Sequence, residues 1–134
     1  MSALAVSRDL SRDECVERLG QVELGRLVFS ANCLPTARPV HLDLVGDELR
    51  VTLSRDVDRT ALKDGDVVAL EIDDASSVAP ATWIVTVTGK VLGTADPATS
   101  GVSKRSPGWA AAEGLPLLRL SLEQLDGYTT EPLP

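Results

Sequence analysis

Aromatic residues are scarce in this 134-residue chain: two Trp, one Tyr and one Phe make up 3% of it. A core short of rings has to be filled by Val, Leu, Ile and Ala, a composition that favours a β-rich fold. No apolar run approaches the ~18 residues that span a bilayer, and the start MSALAVSRDLSRDE turns charged too soon for a secretory signal. The expectation is a cytoplasmic protein with no membrane partner. Basic runs are lacking too, the longest being the pair Lys104-Arg105, and the sequence pI is about 4.6 with a net charge of −7. That balance argues against nucleic acid as a partner. Cysteine occurs twice, Cys15 and Cys33, without CxxC spacing, and both are expected to stay thiols. His41 is the sole histidine; Glu71, Asp73 and Asp74 therefore lack a further ligand at metal spacing and read as strand-end and turn residues. No metal site is expected. GxSxG, HExxH, GxGxxG and the phosphate-loop pattern are all missing, which leaves hydrolase and nucleotidase readings unsupported.

What is present suits one domain over residues 1–134, with a core from 11 to 128 and tails at 1–10 and 129–134. Ser11-Arg12-Asp13-Glu14 is a capping box that starts a helix of about two turns. Leu10 and Cys15 stand where a hydrophobic staple would put them, and Gly20 is a natural stop. GRLVFS (25–30) reads as a strand, ANCL as a turn, and 36–45 as a long strand with Val40, Leu42 and Leu44 on one face. Pro39 cannot donate to a ladder, so this strand is expected at an edge or with a bulge there. Gly46-Asp47 forms a tight hairpin into the alternating strand of Leu49, Val51 and Leu53. A helix is expected over about 57–64, then a buried strand DVVALEID. From 82 to 92, Trp83, Val85, Val87, Gly89 and Val91 alternate strictly with polar or outward positions, and LLRLSL (117–122) gives a last strand before Gly127-Tyr128. Six strands and two or three short helices make a small antiparallel barrel with helices plugging its ends.

One charge feature stands out against the acidic background. Four of the 13 basic residues, Arg50, Arg55, Arg59 and Lys63, fall within RVTLSRDVDRTALK (50–63). Taken alone, this reads either as a solvated charged loop or as an anion site at a strand-to-helix junction. The order of motifs favours the anion site. The capped first helix, GRLVFS, Pro39-Val40-His41, LSRDVDRTAL, VVALEID, TWIVTVTGKV, and Trp109 followed by LLRLSLEQLDGY together resemble the pyridoxamine 5′-phosphate oxidase-like proteins, the flavin-binding split barrels, in particular their small actinobacterial-type members.

That resemblance implies a six-stranded antiparallel split barrel that pairs into a homodimer, with flavin mononucleotide (FMN) in clefts between subunits and a small-molecule substrate of unspecified kind. It implies an oxidoreductase in which Ser54 and Arg59 hold the flavin phosphate, and in which Pro39, Val40, His41, Thr52 and Leu53 line the cofactor with Trp83 near the cleft. His41 is the candidate for handling a proton. Leu53 and Val57 stand where similar proteins often carry an arginine and a glycine, with Arg50 or Arg55 available to compensate. The other readings are a deazaflavin-binding barrel, a haem-binding barrel with His41 as the iron ligand, and a cofactor-free dimeric module.

Overall fold

The computed structural model describes residues 5–53, 57, 59–74, 82–95 and 117–132. The first strand, β1 (Ala5–Asp9), leads into α1 (Arg12–Gln21). The helix starts as its capping box dictates: the Glu14 amide donates to Ser11 Oγ at 3.2 Å, and the Ser11 amide donates to Glu14 Oε1 at 3.0 Å. Arg8 Nη2 adds an ion pair to Glu14 at 3.2 Å. Those contacts hold the Glu14 carboxyl at about 2, against 4.5 for a free glutamate. The helix runs through Gly20 and ends at Gln21, one residue past the expected stop, because an exposed glycine costs helix without ending it.

Seven described strands follow the helix: β2 (Leu24–Ala31), β3 (Leu34–Val45) and β4 (Glu48–Thr52), then β5 (Val67–Asp73), β6 (Thr82–Ala95) and β7 (Leu117–Ser121), and last β8 (Gln124–Pro132). All pairings are antiparallel, in the order β1-β8-β6-β5-β2-β3-β4-β7 with β7 also paired to β6. The ring β6-β5-β2-β3-β4-β7 is therefore a closed six-stranded barrel, and β8 with β1 is laid along the first half of β6. The fourteen residues of β6 make this possible: 82–88 pair with β8, and the register shift between Val91 and Gly93 turns the strand toward β7.

Alternation fixes which side of each strand faces in. Leu27, Leu42, Leu49, Val51, Leu70, Ile72, Val85, Val87 and Leu120 are all buried in the barrel, and α1 adds Cys15 and Leu19 to the same core. Tight backbone approaches require glycine at the corner, since a Cβ on Gly89 would lie 2.2 Å from the Ser121 carbonyl oxygen. Two hairpins use the left-handed turn conformation: Asn32 and Cys33 (φ 53° and 63°) join β2 to β3, and Gly46 (φ 63°) joins β3 to β4. Pro39 pairs with Arg26 of β2, and among the described residues the pairing of β3 with β4 starts at His41.

Three expectations are corrected. Among the described residues a 3₁₀ turn at Arg59–Ala61 stands in place of a helix over 57–64, with Val57 and Leu62 buried. The segment after Leu122 is not a turn but β8, and the residues before Ser11 include its partner β1, Ala5 standing opposite Pro132. The run DVVALEID is buried on one face only, Val67 being 64% exposed. Both thiols are free, Cys15 buried and Cys33 exposed in its turn. Among the described residues no helix is long and apolar enough to cross a membrane.

Candidate functional site

Strands β3, β4 and β7 turn their apolar sides inward, so the intervening residues share the outer face. In antiparallel sheets directly paired residues lie on the same side. The register therefore builds two rows outside the barrel: Leu24, His41 and Thr52 in one, and Asp43, Arg50 and Arg119 in the next. This face is polar yet largely withdrawn from water. Thr52 and Asp43 are each 4% exposed and His41 is half-buried, with its Nδ1 shut off from solvent.

Arg50 and Arg119 stand directly opposite each other, an arrangement that is repulsive by itself. Glu48 resolves it. Arg119 donates to its carboxylate through Nε and Nη2, each at 3.0 Å, and Arg50 donates through Nε at 2.7 Å. The forked contact from Arg119 and the bonds from Arg50 keep the Glu48 carboxyl below its ordinary value, and Glu48 in turn raises Arg119. The ladder locks β4 to β7 one row away from His41 and Thr52.

Next to the first row, a cleft of about 290 Å³ opens between β2, β3 and β5, lined by Leu24, Gly25, Arg26, Pro39, Glu71, Ile72 and Asp73. Arg26 Nη2 reaches Asp73 Oδ2 at 3.0 Å and Glu71 Oε1 at 3.3 Å across it.

The residues singled out from the sequence divide clearly. His41 and Thr52 are brought together as cross-strand partners, and Pro39 stands two residues along the same face at the edge of the cleft. Val40 and Leu53 turn their side chains into the core, so outward they offer only backbone. Trp83 is on the inward side of β6, buried, with the Arg18 guanidinium 5.4 Å from the centre of its ring. Ser54, the side chain of Arg59, and Trp109 lie outside the described residues. Sequence reasoning passed over Glu48. The two-residue hairpin at Gly46-Asp47 fixes Asp43 opposite Arg50 and was a usable signal; Arg119, some seventy residues on, had none.

A hydroxyl, an imidazole, a proline and an exposed leucine side by side suit a planar heterocycle with a hydrogen-bonding edge. They do not suit a metal ion, and among the described residues no group of three or more His, Cys, Asp or Glu gathers to hold one.

The comparisons agree with this architecture. The FAD-binding protein of Mesorhizobium loti superposes with a TM-score of 0.77 at 16% identity, over 95% of this chain and 98% of that one. The FAD-binding protein of Mycobacterium smegmatis does so with a TM-score of 0.68 at 20% identity, over 92% and 98%. A protein of the same organism that binds FAD and haem gives 0.64 at 21% identity, over 92% and 72%. Identities this low carry the fold alone. In sequence, the uncharacterized protein Rv0080 of Mycobacterium tuberculosis is 38% identical over 94 residues, which is 66% of this chain and 62% of that relative's length. The profile of pyridoxamine 5′-phosphate oxidase matches residues 11–125, from the N-cap of α1 into β8, and the chain accordingly belongs to the pyridoxamine 5′-phosphate oxidase family.

Proposed function

We propose that this chain is a flavin-binding oxidoreductase acting on a small molecule, with FMN as cofactor and a homodimer as the working unit. The observation that carries the reading is the pairing of His41 with Thr52 at the outer end of β4, two residues ahead of Ser54 in a chain that matches the family from 11 to 125. A bound flavin would supply hydride transfer. The chain's own residues would do the rest. Thr52 offers a hydroxyl to a ring heteroatom, and His41 can hold or pass a proton at its imidazole beside it. Ser54 and Arg59, five residues apart, are the pair suited to a terminal phosphate, the arginine through a forked contact. Support for the homodimer comes from Leu24, Val28 and Val67, large apolar side chains left exposed on the outer sheet face, which a second subunit would cover.

Titration of the purified protein with FMN, FAD and riboflavin tests the reading. Arg59→Ala should weaken FMN by about 1.5 to 3 kcal/mol, roughly 10- to 150-fold, and Ser54→Ala by about 0.5 to 1.5 kcal/mol, while riboflavin, which has no phosphate, is indifferent to both. Equal losses for both ligands would make Arg59 a residue of the fold. Binding of FAD in preference to FMN would replace the mononucleotide by the dinucleotide named for the solved relatives. A Soret band lost in His41→Ala would favour haem, which one of those relatives also binds.

A further inference from the structure

A second concave site lies on the outer face of the sheet where β8 and β1 are laid along β6. Its volume is about 370 Å³, within the range of small-ligand sites, and it is lined by Asp9, Leu10, Ile84, Thr86, Leu125, Asp126, Gly127 and Tyr128. The register explains how these residues meet. Asp9 pairs with Tyr128 and Tyr128 with Ile84, so one row across three strands runs carboxylate, phenol ring, aliphatic chain. The neighbouring row sets Asp126 against Thr86.

The chemistry of that lining is specific in sign. Asp9 and Asp126 line the cleft, and among its described lining residues none is basic. Asp126 is bonded to a neutral partner, the Gln124 amide, at 2.7 Å, so its charge is not compensated by that contact. Arg8, the basic residue nearest in sequence to Asp9, is engaged with Glu14. Between the two acids stands Tyr128, 41% exposed, whose ring face attracts a cation, with Ile84 beside it for an apolar body. The Arg26, Glu71 and Asp73 cleft differs in this respect, because its arginine already answers its acids.

We infer that the β1–β8–β6 cleft, with Asp9, Asp126 and Tyr128 as its recognising residues, is a binding site for a small organic cation, an ammonium carried on a short apolar body. Charge complementarity and the concave shape set the ligand class: an anion meets two like charges, and a neutral molecule leaves both carboxylates unanswered. A free amine suits the volume better than an extended peptide does. The site is separate from the His41–Thr52 face, and its test does not depend on any cofactor.

The probe is phenethylamine, a cation at neutral pH, with the neutral 2-phenylethanol and the anionic 3-phenylpropionate as controls, added to the full-length protein and followed by amide chemical shifts. The expected result is saturable shifts at Asp9, Thr86, Asp126 and Tyr128 with the amine alone, weakened as salt is raised. Asp126→Asn, Asp9→Asn and Tyr128→Leu should each weaken it about threefold, the size expected for partly exposed charge and cation–ring contacts. Asp9→Asn changes only an exposed edge position and guards against loss of fold in the others. Equal binding of the alcohol, shifts centred on Arg26 and Glu71, affinities unchanged in all three variants, or tighter binding of a lysine-bearing extended peptide than of the free amine would each overturn the assignment.

Discussion

Replacing Gly89 by alanine sets a single methyl against the corner where β7 passes into β8. The added Cβ would lie 2.2 Å from the Ser121 carbonyl oxygen and 3.8 Å from Leu120 Cβ, so the first contact is roughly 1 Å or more inside van der Waals distance. The obstacle is backbone, and it is held: the Lys90 amide donates to Ser121 Oγ at 3.0 Å and the Glu123 amide to the Thr88 carbonyl at 3.1 Å. The corner cannot swing aside without breaking these bonds. Overpacking of this kind costs about 1 to 3 kcal/mol, and a backbone clash belongs at the upper end. Against that, alanine lowers the entropy of the unfolded chain by about 0.4 to 1 kcal/mol. The net loss is then about 2 kcal/mol or more, which for a chain of this length lowers Tm by about 6 to 8 °C. Gly20→Ala is the internal control. Gly20 lies in α1 with nothing within 4 Å of the added methyl, so the same chemical change should stabilise by about 0.5 kcal/mol. Thermal unfolding followed by circular dichroism reads both. If Gly89→Ala matches or exceeds the parent, the closeness of β6 to the β7–β8 corner is refuted.

Two further outcomes follow from local geometry. Cys33 occupies a left-handed turn position that glycine fills without strain, so Cys33→Gly should raise stability by about 0.5 to 1 kcal/mol, measured by urea unfolding under reducing conditions; a loss would show that the β2–β3 turn tolerates its cysteine at no cost. Glu14 has its folded pKa depressed to about 2 from 4.5, and a depressed carboxyl contributes stability that is fully present above the unfolded value. That contribution should fade as pH falls from 4.5 through about 2. Urea midpoints across this window should fall less steeply in Glu14→Gln, and parallel slopes in the two proteins would remove the capping contact as the cause.

The legible parts of this fold were those whose determinants sit close together in sequence. Ser11 and Glu14 specify a helix start within four residues, and the alternation from Trp83 to Val91 specifies a half-buried strand without reference to any neighbour. β8 was illegible for the opposite reason. QLDGYTTEP has a glycine and mixed polar residues, and it is extended because β6 and β1 pair with it on both sides. Of the helix expected over 57–64, the described residues show a 3₁₀ turn at Arg59–Ala61, with Val57 and Leu62 buried. Periodic apolar residues reported the need to cover a core and not the backbone that covers it. At the candidate site, His41 and Thr52 could be aligned from the hairpin between them. The Arg119 that steadies their neighbours enters through β7, whose place between β4 and β6 is a property of the closed ring.

That ring depends on very little chain. β7 has five residues, and among the described residues it alone joins β4 on one side to β6 on the other. Without it the barrel would become an open sheet presenting two raw edges, each with a row of unanswered amide and carbonyl groups. Leu117, Leu118 and Leu120 are buried, so the same five residues also seal the interior. Detachment of β7 therefore exposes core and pairing edges in one event. A chain built this way gains little from partial opening and has much to lose from it, since such edges recruit one another into aggregates. Protection of the β7 amides against hydrogen exchange is then tied to survival of the whole barrel and not to local fraying.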